Sequence, residues 1–202
     1  MRSPPEPVQI IKDRRDAALR GLVEGIPYAG FLGLRFDRRG DELTAILPYA
    51  DALIGNPVIP ALHGGAVAAF LELTAMVELG WAILWEGMET GKGSAVGATS
   101  LPRLPKTIDF SVDYLRSGLP RDAYARARVN RLGRRYASVH VEAWQDNRSR
   151  LFAQATGHFL MPSGVGGEAA RCAPCAGPRS RPGSDPGPAR VIGNGAPTAG
   201  GA

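Results

Sequence analysis

A chain of 202 residues with 44% apolar and 21% charged residues has the composition of a soluble globular protein, long enough for one core and some extra length. Its net charge of +5 is unevenly placed: residues 1–102 hold 9 Lys and Arg against 12 Asp and Glu, residues 103–162 hold 11 against 5, and the remainder 4 against 2. A basic patch of this kind could attract nucleic acid or a membrane surface, or equally receive one phosphorylated small molecule; its residues are scattered among strand-like residues with no nucleic-acid motif beside them, which argues against a nucleic-acid partner.

The first residues, "MRSPPEPVQIIKDRRDAALR", carry charges every few positions and do not resemble a secretory signal, so a cytoplasmic protein is expected. Residues 7–24 predict a short surface helix with apolar positions at Val8, Ile11, Leu19, Leu22 and Val23, stopped by Gly25 and the following Ile-Pro. "LGLRFDRRGDELTAILP" predicts a hairpin turning at Gly40-Asp41. The next stretch, "YADALIGNPVIP", is a loop, because its two X-Pro pairs disfavour helix. A long apolar helix is then expected over residues 62–85. It could span a bilayer by length, but Glu72 and Glu78 would each cost roughly 2.5–3.5 kcal/mol at mid-membrane. A buried helix of a soluble protein is the better reading.

From Thr107 the period changes to two. Ile108, Phe110, Val112 and Tyr114 alternate with Asp109, Ser111 and Asp113, the pattern of a half-buried strand. Three further strands follow, separated at Leu132-Gly133 and at Asp146-Asn147, and such short connections imply antiparallel neighbours. The order predicts an α+β fold, an antiparallel sheet wrapped around one long apolar helix. Residues 1–25 form the surface-helix segment, 26–162 the domain, and 163–202 a Gly/Pro/Ala-rich tail expected to be disordered. Both cysteines, Cys172 and Cys175, fall in that tail, so no disulfide holds the core, and two ligands without a second pair make no zinc site.

Two strands, a loop with Asn-Pro, "LHGG", an apolar helix with an acid nine residues after the histidine, then "IDFSVDYLRSG" and "GRRYASVHVEAW" together resemble the hotdog-fold acyl-CoA thioesterases of the PaaI type over residues 26–161. The resemblance implies hydrolysis of acyl-CoA without a cofactor or metal, by a homodimer or a dimer of dimers with the substrate arm entering between protomers. It also implies that Asn56 helps hold a carbonyl or water. His63 caps the helix, orients the loop or touches the substrate. Arg116, Arg134 and Arg135 lie at strand ends, from which guanidinium groups could reach the phosphates of CoA. A binding protein without catalysis is the alternative from another class. An enoyl-CoA hydratase fits worse, since Val58 and Ile59 follow Asn56-Pro57 where that pattern needs histidine.

Physical chemistry reads the same residues independently. Amides at a helix start lack intrahelical acceptors and sit at the positive end of the macrodipole. Gly64 and Gly65 would let a carbonyl approach them, stabilising the oxyanion formed on attack. Glu72 has Ala68, Ala69, Ala75 and Met76 as its helix neighbours, so a lone carboxylate of raised proton affinity is expected there. Glu78 has equally unhelpful neighbours and is expected on a solvated or interfacial face. Eight residues of helix place Gly64 and Glu72 ~12 Å and ~80° apart. If both serve one reaction, they should come from different subunits.

Overall fold

The computed structural model describes residues 7–89 and 103–162, all within the first of the chain's two compact units, Met1–Ala170. The expectations for residues 163–202, including the two cysteines, lie outside the described residues.

Helix α1 runs Val8–Glu24, a short α2 Pro27–Phe31, and strands β1 (Arg35–Arg39) and β2 (Glu42–Leu47) form the expected hairpin. Gly40 takes φ 63° at its turn, the left-handed backbone that a tight hairpin demands. A 3-10 turn (Asp51–Leu53) and two short strands, β3 (Ile54–Asn56) and β4 (Ala61–Leu62), shape the loop before α3 (Gly64–Glu89). Strands β5 (Lys106–Tyr114), β6 (Ala123–Leu132), β7 (Tyr136–Trp144) and β8 (Ala153–Leu160) complete the fold. Among the described residues, six strands make one antiparallel sheet in the order β1-β2-β6-β7-β8-β5.

Two details depart from expectation. Helix α3 begins two residues later than predicted and continues to Glu89, because Gly87 alone costs only about 1 kcal/mol in a helix otherwise rich in good formers. Pro27, read as a stop for α1, opens α2 as its first residue, and Gly33 at φ 66° closes it.

The centre of the sheet explains why a bulky helix fits against it. Ala45, Ala125, Ala143 and Ala153 pair in register across β2, β6, β7 and β8 and are fully buried. This row of methyl groups leaves a trough. Large side chains of α3, among them Phe70, Leu71 and Val77, are fully buried on the opposing layer, so small residues on the sheet offset large ones on the helix. The apolar span that could cross a membrane by length is thus the core helix. Helix α1 docks beside it, with Leu19 and Leu22 buried and the Leu22 methyls close against Gly80 of α3. Arg38 of β1 secures that docking by donating to the Asp16 carboxylate at 2.6 and 2.9 Å.

Strand β5 is an edge, and its apolar alternation is only partly used within the protomer. Phe110 and Val112 are half-buried, while Ile108, Tyr114 and the following Leu115 are at least half exposed. An exposed edge strand with apolar side chains is a ready surface for pairing.

Candidate active site

The loop that precedes α3 is pinned where β4 ends. Leu62 N–H donates to Gly118 O and His63 N–H to Leu53 O, each at 2.8 Å. Helix α3 then starts at Gly64, with Val67 N–H returning to His63 O at 3.0 Å. His63 is therefore the helix cap. Its Nδ1 accepts the Gly65 N–H at 3.0 Å, the bond that an Asp or Ser usually supplies in this position.

That bond corrects the expectation for Gly65. Its amide is occupied by His63, and a Cβ there would lie 3.0 Å from Nδ1 and Cε1 of the imidazole. The glycine makes room for the cap rather than for a ligand. Gly55 does the same on the other side, where a Cβ would come within 2.8–2.9 Å of His63 Cα, Cβ and Cδ2. Gly64 is different. Its N–H has no acceptor among the described residues, and it sits at the first helical position, where the peptide dipoles favour negative charge. Its own carbonyl accepts the Tyr114 hydroxyl at 2.7 Å.

Glu72 is not the lone carboxylate expected. It is half-buried, and its Oε1 accepts the Thr107 hydroxyl at 2.6 Å. Thr107 belongs to β5, so strand and helix together hold the acid. The helical period puts Glu72 roughly opposite Phe70 and Thr74, which are buried, and so on the side of α3 away from the core.

The carboxyl that burial pushes up, to about 7, is Glu78. It is half-buried and has no hydrogen-bond or ion-pair partner among the described residues, which replaces the expectation of a solvated face. Six residues of helix turn it ~240° from Glu72, so one protomer cannot bring both acids to one substrate. Its titration should instead appear in stability. Between about 4.5 and about 7 the unfolded chain releases this proton while the folded chain keeps it, so folding weakens as pH rises through that window, by a few kcal/mol at most. Thermal melts from pH 4 to 8 should show Glu78→Gln matching the parent at the acid end and exceeding it at pH 8. Parallel curves over the whole range would refute the assignment.

The remaining predicted positions are not all brought together. Asn56 turns its Oδ1 into its own loop, accepting Val58 N–H at 3.0 Å and Ile59 N–H at 3.3 Å, which leaves only its amide NH2 for a ligand. Arg116 follows the C-terminal end of β5, whereas Arg134 and Arg135 lie in the β6–β7 turn. That turn lies at the other end of the sheet, where Tyr136 pairs with Leu160 and Leu160 with Lys106. A single protomer cannot direct all three at one phosphate group. A cleft of about 550 Å³ opens between α1 and β1, lined by Lys12, Leu19, Arg20, Leu34, Arg35 and Phe36 among others. It flanks the edge of the sheet opposite β5 and includes neither Gly64 nor Glu72.

The sequence pattern of the thioesterase superfamily matches residues 60–151, from the loop before His63 to the loop before β8. A crystallised protein of Chromobacterium violaceum is 34% identical, covering 77% of this chain and 98% of its own, with a TM-score of 0.51. The chain belongs to the hotdog-fold thioesterase superfamily. Its relatives include the medium/long-chain acyl-CoA thioesterase YigI of Escherichia coli K12, 27% identical in an alignment of 145 residues that covers 69% of this chain and 88% of that protein. The fold is shared by the PaaI protein of the Escherichia coli phenylacetic acid degradation operon, at 13% identity and a TM-score of 0.57, covering 76% of this chain and 96% of that one.

Proposed function

We propose that this member of the superfamily hydrolyses acyl-CoA thioesters in the cytoplasm, at sites shared between two copies of the chain. The observation that carries the proposal is the use of one edge strand to hold both reacting groups. Tyr114, near the end of β5, binds the helix start at Gly64, and Thr107, near its beginning, binds Glu72.

The two groups lie ~12 Å apart along α3, too far for one carbonyl. If two β5 edges pair antiparallel about a two-fold axis, the Tyr114 end of one strand lies beside the Thr107 end of the other. Gly64 of one protomer then approaches Glu72 of its partner, twice per dimer. The half-exposed Ile108, Tyr114 and Leu115 are the surface that such pairing covers. The same symmetry carries Arg116 of one copy toward the end of the sheet that holds Arg134 and Arg135 of the other, so guanidinium groups of both could flank the CoA phosphates.

In this arrangement the Gly64 N–H donates to the thioester oxygen and holds the charge that develops there. Glu72 removes a proton from water, or attacks the carbonyl itself. Thr107 donates to one carboxylate oxygen and leaves the other free for that work. The carbon–sulfur bond breaks, and CoA leaves as the thiolate. No step calls for a cofactor or metal.

Between aromatic and aliphatic acyl groups, the name of the YigI relative, a medium/long-chain acyl-CoA thioesterase, favours the aliphatic. A panel of acetyl-, hexanoyl-, decanoyl-, palmitoyl- and phenylacetyl-CoA, followed by free-thiol release, should show turnover that rises with aliphatic length beyond acetyl. No release from any member would refute the proposal, and preference for phenylacetyl-CoA would reverse the acyl assignment.

A further inference from the structure

The bond by which Tyr114 holds the start of α3 is the first of a series, and the hydrolytic scheme above does not use its further members. Tyr114 Oη–H donates to the carbonyl of Gly64 at 2.7 Å. That carbonyl and the N–H of Gly65 are the two ends of one peptide group. The N–H donates in turn to Nδ1 of His63 at 3.0 Å. Donation to the carbonyl withdraws electron density from the peptide and makes its N–H a stronger donor, so each bond reinforces the next.

The last member of the series has a chemical consequence. A ring nitrogen that accepts an amide N–H carries no proton itself, so neutral His63 must hold its proton on Nε2. The ring has little freedom to escape this arrangement. Gly55 and Gly65 pass so close on two sides that a methyl group at either would fall within 3.0 Å of His63 atoms. His63 as a residue remains exposed, leaving Nε2–H as an oriented donor at the start of α3.

We infer that Tyr114 is a positioning residue that acts through the Gly64–Gly65 peptide to hold His63 in its Nε2–H tautomer, giving the site a second oriented donor. The kinetic part of this inference rests on the thioesterase reading. The tautomer part does not, since it concerns the free protein. Tyr114 is half exposed on an edge strand, so Tyr114→Phe keeps the ring and removes only the hydroxyl.

The test has two arms. Nitrogen-15 spectra of the imidazoles at pH 8 report the tautomer without substrate, and the chain's three histidines are assigned by the signals lost in His63→Ala. The parent should show His63 almost wholly protonated on Nε2, and Tyr114→Phe should show a mixture of tautomers. In the second arm, on the best acyl-CoA of the panel, Tyr114→Phe should lower kcat about fivefold, the order expected for one hydrogen bond, with KM changed by less than about twofold. In a His63→Ala background the same substitution should cost nothing further. A parent His63 protonated on Nδ1, or a Tyr114→Phe protein with parental imidazole spectra, overturns the inference whatever the activity. An equal loss of kcat with and without His63 overturns it too, by showing that Tyr114 acts on the helix start alone. Absence of all turnover in the parent would sink the thioesterase reading and leave the spectra to decide the tautomer.

Discussion

Glu72→Gln should lower acyl-CoA turnover by at least ~100-fold, a typical contribution of one general base. Glutamine has nearly the same shape, and its amide oxygen can still accept the Thr107 hydroxyl that Glu72 Oε1 accepts at 2.6 Å. The variant should therefore keep the parent's melting temperature and KM while losing kcat. Parental turnover would exclude Glu72 from catalysis. Intact acyl-CoA binding by a parent that releases no thiol would instead favour a carrier or sensor. Hydrolysis in oxygen-18 water separates the two roles open to Glu72. A base leaves the enzyme unlabelled, whereas a nucleophile forms a mixed anhydride, and water that attacks its Glu72 carbonyl puts label into the enzyme carboxylate, so label there identifies the nucleophile.

The architecture was legible because its periods are clean. Alternation of two marks β5 to β8, Gly40-Asp41 marks the hairpin, and an uninterrupted apolar helix has only a sheet to bury it. The short α2 was missed although its signals were present, since Pro27 at the first helical position and Gly33 just past the end are ordinary helix punctuation. Among the site residues, Thr107 was hidden for a structural reason. By alternation it shares a face with Asp109, away from the helix, but the register of β5 slips between these two residues. Thr107 pairs opposite the buried Phe159, and Asp109 opposite His158. The bulge re-aims the threonine toward α3, as bulges beside functional sites often do. Tyr114 is hidden differently: in the apolar alternation only its ring carries a signal, and nothing in the pattern marks that its hydroxyl binds the Gly64 carbonyl. Gly65 shows the opposite error. Its lack of a side chain was assigned to a ligand, when the nearest claimant is the His63 ring.

The shared site makes a second large effect available, the recovery of activity by mixing two dead proteins. One partner is Glu72→Gln. The other is Gly64→Pro, chosen because Gly64 is the first residue of α3, where proline fits the helix but brings no N–H. A Cβ at this position would be 3.4 Å from the Tyr114 hydroxyl, an ordinary contact. Each homodimer lacks one group at every site and should be inactive. In a heterodimer one site collects both lesions, while the other combines the intact Gly64 of one chain with the intact Glu72 of its partner. Random assortment of equal amounts makes about half of all dimers mixed, each with one working site of two, so about a quarter of parental activity should return after co-refolding. If each site were contained in a single chain, every chain in the mixture would still carry its own lesion, and none would return. Differently tagged heterodimers that are purified, correctly folded and still inactive would therefore refute the shared site and assign Gly64 and Glu72 of one chain to the same site, and the ~12 Å between them along α3 would need another explanation.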